Sequence, residues 1–126
     1  MTITPTETLA TPPPTALELL FFTATAQATQ VALSWESALE LDLYGFQLWR
    51  SSNGQRADAV LITEQTIRSR GTASSGAAYY FSDTNVTTGV TYTYWLYKVN
   101  SDATGADVDS VTAQPLHHHY LPLIGG

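Results

Sequence analysis

The sequence predicts an all-β fold, two sheets packed face to face, and three observations carry that expectation. Val86 to Asn100, VTTGVTYTYWLYKVN, is a turn followed by a long run of β-branched and aromatic residues. Gln30 to Glu36, QVALSWE, alternates apolar and polar residues, the period of a half-buried strand. About seven such stretches succeed one another at short spacings with no helical stretch between them, as in a sandwich.

The chain of 126 residues is long enough for a single two-layer core with tails. Only 13% of its residues are charged, against about 25% in an average soluble domain. Thr, Ser and Ala fill the polar surface instead, which suits strands and a module outside the cell. A net charge of −6 and a single lysine, Lys98, argue against nucleic acid and anionic membrane, because neither could be neutralised. The chain has no cysteine, so disulfides and thiolate metal sites are excluded. The longest apolar run, Leu17 to Phe22, is interrupted by Glu18 and is far too short to span a bilayer. The start, MTITPTETLATPPP, lacks the basic and apolar regions of a signal peptide, and the expectation is that it lies downstream of a leader.

Three segments are expected: a Thr/Pro-rich N-terminal segment (1–15), a sandwich (16–115) and an apolar C-terminal tail (116–126). The first, ending in Pro12-Pro13-Pro14, reads as a solvated tether. LELLFFTATA comes next as a strand apolar on both faces at its start, with Leu17, Leu19 and Phe21 opposing Glu18, Leu20 and Phe22. In QVALSWE, Val31, Leu33 and Trp35 point inward, and Ser37 to Leu43 is expected to be a loop. LYGFQLWRS (43–51) is the third strand, with Tyr44, Phe46 and Leu48 on one face and Gln47 and Trp49 on the other. Asn53-Gly54 is a turn pair tolerant of positive φ. A short strand at Ala59 to Ile62, a polar linker from Thr63 to Gly76 and a strand at Ala78 to Ser82 come next.

In the long strand, Tyr92, Tyr94 and Leu96 share one side, and Thr93, Trp95 and Tyr97 the other. A tyrosine just after a turn, leading such a strand, is the arrangement of the tyrosine corner, whose hydroxyl hydrogen-bonds back to the chain upstream. The last strand, Asp107 to Gln114, opens with aspartates and is expected at a sheet edge. The set is that of an immunoglobulin-like sandwich.

Trp35 in the second strand, GFQLWRS in the third, and TTGVTYTYWLYKVN with Gly105 after it resemble a fibronectin type III domain across residues 16–115. The resemblance is to versions in bacterial surface and secreted proteins, in which a Gly-Phe-x-x-(Tyr)-Arg-Ser strand and a Tyr-x-Tyr-x-Leu strand recur. It implies a fibronectin type III-like sandwich, and binding or spacing in preference to catalysis. Lys98 stands where the pattern has a small apolar residue, so the inward end of that strand is expected to open to solvent. No Arg-Gly-Asp occurs.

No catalytic constellation, metal site or cofactor is expected. His117-His118-His119 would point to alternate faces of a strand, and no Asp, Glu or Cys lies near them in sequence. Asn100, Asp102, Asp107 and Asp109 match no calcium-loop spacing. Ser34, Glu36 and His117 form no visible triad. Asn85-Val86-Thr87 is a glycosylation sequon, meaningful only in a cell with that machinery.

Two surfaces remain. Trp49, Trp95 and Tyr97 share an outer sheet face, either as a platform for a sugar ring or a protein, or as cross-strand pairs that steady the sheet. The tail LHHHYLPLIGG carries Tyr120, Leu121, Leu123 and Ile124, an apolar run that either covers its own sheet or adds to a neighbour. With Leu17, Leu19 and Phe21 these form the expected assembly interface. The resulting expectation is a non-catalytic, extracellular or cell-surface subunit of a bacterial filament whose partners are copies of itself. The alternative is a glycan- or protein-binding module, adhesive in role, within a larger secreted protein.

Overall fold

Residues 17–116 are described by the computed structural model, and within them eight strands build two antiparallel sheets. The strands are β1 (Leu17–Ala26), β2 (Val31–Glu40), β3 (Leu43–Ser51), β4 (Val60–Leu61), β5 (Ile67–Arg68), β6 (Ala78–Asp83), β7 (Tyr92–Asn100) and β8 (Gly105–Ala113). One sheet has the order β1-β2-β6; the other runs β4-β3-β7-β8, with β5 also paired to β3. A short 3-10 turn, Arg56–Asp58, links β3 to β4. The expected short strand at 59–62 shrinks to the two residues of β4, and β5 arises within the expected linker.

The core forms where alternation is cleanest. Val31, Leu33 and Trp35 of β2 meet Phe46 and Leu48 of β3 and Tyr94 and Leu96 of β7, all fully buried. Trp35 stacks on Tyr79 of β6 (5.4 Å between centroids, 10° between planes) and meets Phe46 and Phe22 edge-on at 5.6 and 6.2 Å. Offset stacks and edge contacts are the arrangements that aromatic quadrupoles favour.

The corner expected ahead of β7 is present. Val90 N–H bonds to the Thr87 carbonyl, Gly89 takes φ of 93°, and the Thr87 amide donates to the Tyr92 hydroxyl at 2.8 Å. The chain after β8 docks on the same turn, since the Gly89 amide donates to the Pro115 carbonyl at 2.6 Å and Pro115 is buried.

Between the sheets, Arg50 of β3 reaches Asp83 of β6 with its Nη1 at 3.1 and 3.0 Å from the two carboxylate oxygens. The Tyr94 hydroxyl donates to the same carboxylate at 2.8 Å. Burial first, and then this carboxylate, push the Tyr94 phenol well above its ordinary pKa.

Four expectations are corrected. β1 shifts register at Glu18/Leu19 and again at Leu19/Phe21, so Phe22 is buried while Leu20 (57%) and Phe21 (42%) stand exposed; its start is not covered on both faces. A bulge inserts an unpaired residue and reverses the parity of the strand beyond it. The same occurs in β3 at Leu43/Gly45, which turns Tyr44 outward instead of inward.

Ser37 to Leu43 is largely strand, not loop: β2 continues to Glu40, which is buried. Its carboxylate accepts from Ser37 and Ser69 Oγ (2.5 Å each), the Gly71 amide (2.9 Å) and the Tyr79 hydroxyl (2.7 and 2.9 Å). Residues 63–76 are therefore not an ordinary linker. Thr63 is buried with its Oγ1 3.4 Å from the Leu48 amide, and Ser69 and Gly71 close over Glu40.

Candidate functional site

The outer aromatic face is a product of register. Trp49 of β3 lies directly opposite Trp95 of β7, and Gln47 opposite Tyr97. All three aromatics are half-buried. The Trp49 indole N–H donates to Gln47 Oε1 at 3.3 Å.

The cation that lies over the indoles is not marked by any motif in the sequence. Asn53-Gly54 turns the chain, with Gly54 at φ 77°, and Asn53 Oδ1 accepts from the Gln55 amide at 2.9 Å. The next element, the 3-10 turn, sets the Arg56 guanidinium 4.7 Å from the Trp49 ring centroid and 5.7 Å from that of Trp95. Asp107 of β8, opposite Tyr97, holds it with two bonds of 2.8 and 3.0 Å. The platform is thus partly occupied by the chain's own cation. The clue available in sequence is the scarcity of cations beside a surplus of exposed aromatics.

Scarcity has a second consequence. Arg50, Arg56, Arg68 and Arg70 lie over Tyr92, Trp49, Tyr44 and Tyr79 at 5.4, 4.7, 4.1 and 4.5 Å. Each arginine is already engaged with a π-face, the geometry of a cation–π contact. Lys98, on the inward-facing end of β7, pairs with Phe46 and Ala106 and is partly exposed.

The expected assembly residues divide. Leu17 belongs to the core at 7% exposure, Leu19 packs partly buried against it, and Phe21 is exposed beside Leu20. The side chain of Leu17 is therefore committed to its own sandwich. Tyr120, Leu121, Leu123 and Ile124 lie outside the described residues, as do His117 to His119. Among the described residues no three His, Cys, Asp or Glu side chains are placed to hold a metal ion, and no helix is long and apolar enough to cross a membrane.

A second concavity has no counterpart among the expectations. Among the described residues β6 has a sheet neighbour on one side only, and the gap between it and β4 and β5 is lined by Val60, Ile62, Ile67 and Phe81, with Arg50 and Asp83 at one end. It consists of two adjoining depressions, about 320 and 450 Å³, that share Ile62 and Phe81.

Comparison with solved structures bears on the fold. The crystal structure of a Fn3-like protein from Clostridium thermocellum superposes with a TM-score of 0.53 at 19% identity, covering 82% of this chain and 100% of that one. The fold is fibronectin type III-like. The resemblance read from Trp35, GFQLWRS and the β7 motif thus holds at the level of architecture. No protein-family model matches the sequence, and no curated protein gives a significant match. A fibronectin type III-like sandwich is a module that serves many roles, so the fold by itself assigns none.

Proposed function

We propose that the chain is a non-catalytic structural subunit of an extracellular bacterial fibre, joined to copies of itself through its terminal segments. The observation that supports this reading is the apolar surface left where those segments attach. Leu20 and Phe21 are 57% and 42% exposed on β1, the first strand after the N-terminal segment, and Leu116 is 41% exposed where the tail departs. The tail adds Tyr120, Leu121, Leu123 and Ile124 in sequence. Exposed apolar side chains on an edge strand favour pairing with another chain.

Electron microscopy and light scattering of the purified protein test it. Fibres are expected, and truncation after Leu116, which keeps the buried Pro115, should abolish them while leaving the β-sheet circular dichroism intact. A uniform monomer of 13.7 kDa, or fibres from the truncated chain, would overturn the reading.

The second reading is a glycan- or protein-binding module of a larger secreted protein, and the pairing of Trp49 with Trp95 on an outer face favours it. Loss of retention on a glycan column in Trp49→Ala and Trp95→Ala, with assembly unchanged, would select it over the first.

A further inference from the structure

We infer that the cleft between β4 and β6 is the seat of the C-terminal segment Tyr120–Ile124 of a second copy; this rests on the assembly reading above and names its acceptor. The two sheets differ in width. Three strands face a sheet that also carries β4 and β5, and Val60, Ile62 and Ile67 line the gap beside Phe81 of β6. Val60 pairs with the inward-facing Arg50, yet it remains 51% exposed. Among the described residues β6 has a sheet neighbour on one side only. Its outer edge therefore offers backbone N–H and C=O groups to an extended chain, and the cleft beneath offers apolar walls.

The dimensions and chemistry of the tail suit this place. β6 has six residues, about 20 Å of strand, and Tyr120–Ile124 would extend over about 17 Å. In an extended segment Leu121 and Leu123 project to the same side, and two adjoining depressions lie along the cleft. Pro122 between them lacks an N–H, which is tolerated on an edge strand and at no interior one. If extended, the three residues His117 to His119 would span about 10 Å between Leu116 and this segment. A strand added beside β6 would give the narrow sheet a fourth member above β4 and β5. Each copy would then hold one tail and lend one, a heterologous contact that extends head to tail into a filament where its rotation does not close into a ring.

Because the chain has no cysteine, a designed pair reports the contact directly. The full chain carrying Val60→Cys and Leu123→Cys, treated with a short bis-maleimide, should yield a ladder of covalent multimers. A cross-link confined to the monomer would place the tail on its own cleft and overturn the inference, as would no cross-link at all. Separately, Val60→Lys should leave the fold intact, because the site is half exposed. It should raise the concentration at which assembly begins by at least about tenfold, because a charge would be buried under the tail. If Val60→Lys assembles like the parent while Leu123→Lys does not, the cleft is wrong and assembly through the tail stands. If the parent protein never assembles, the underlying reading fails first.

Discussion

The Tyr79 hydroxyl lies 2.9 and 2.7 Å from the two carboxylate oxygens of Glu40, and both residues are buried. Burial alone would raise the Glu40 pKa. The hydroxyls of Ser37, Ser69 and Tyr79 and the amide of Gly71 outweigh it and hold the group below its usual 4.5. Burial, with the Glu40 carboxylate adding to it, pushes the Tyr79 phenol up to about 12.

The resulting pH dependence has a definite sign. A depressed carboxylate contributes stability that is present above about pH 4.5 and is lost as pH falls through the folded value. The raised phenol contributes stability present below pH 10 and lost between 10 and 12. Urea unfolding from pH 7 to 3 should therefore show a decline that Glu40→Gln flattens. Glu40→Ala strands several buried donors and should cost about 3 kcal/mol at pH 7.

The corner bond is a smaller matter. Tyr92→Phe removes the acceptor of the Thr87 amide and keeps the ring in the core. It should cost about 1 kcal/mol in chemical denaturation, with no change of fold.

Arg50 and Asp83 span the two sheets with side-chain exposures of 14% and 4%. Removing either partner leaves the other charge buried and should cost about 3–5 kcal/mol. Replacing both by apolar residues of similar volume should cost much less than the sum. A double-mutant cycle on thermal midpoints reads that coupling.

Arg56 and Asp107 make the contrasting case, being 34% and 36% exposed. Arg56→Ala should change stability by no more than about 1 kcal/mol. It should nevertheless alter tryptophan fluorescence, because it uncovers Trp49 and Trp95. If that face holds a sugar ring, the same substitution should change retention on a glycan column.

The long strand is legible in sequence because Tyr92, Tyr94 and Leu96 keep one parity throughout and a turn precedes them. The same parity rule misreads Tyr44, and it puts Phe21, not Phe22, with Leu17 and Leu19. In each case a bulge inserts one residue, and nothing in the residue types marks where. Glu40 is misread for a different reason. A carboxylate among leucines reads as solvated until its donors are known, and Ser69 and Tyr79 lie 29 and 39 positions away. Of the candidate site, Trp49, Trp95 and Tyr97 are visible as outward positions. Arg56 is not, because its place over them depends on the turn after Asn53. The cleft at β4 and β6 is hidden for a related reason: it depends on the two sheets having unequal widths.

Antibody domains pin their two sheets together with a disulfide beside a buried tryptophan. Here Arg50, Asp83 and Tyr94 bridge the sheets without sulfur. Such a clasp forms as the chain collapses and needs no oxidant, isomerase or catalyst of exchange. It carries no redox dependence, so a thiol reductant leaves the clasp untouched. Ionic strength, which screens charges, can act on such a link where a reductant does not.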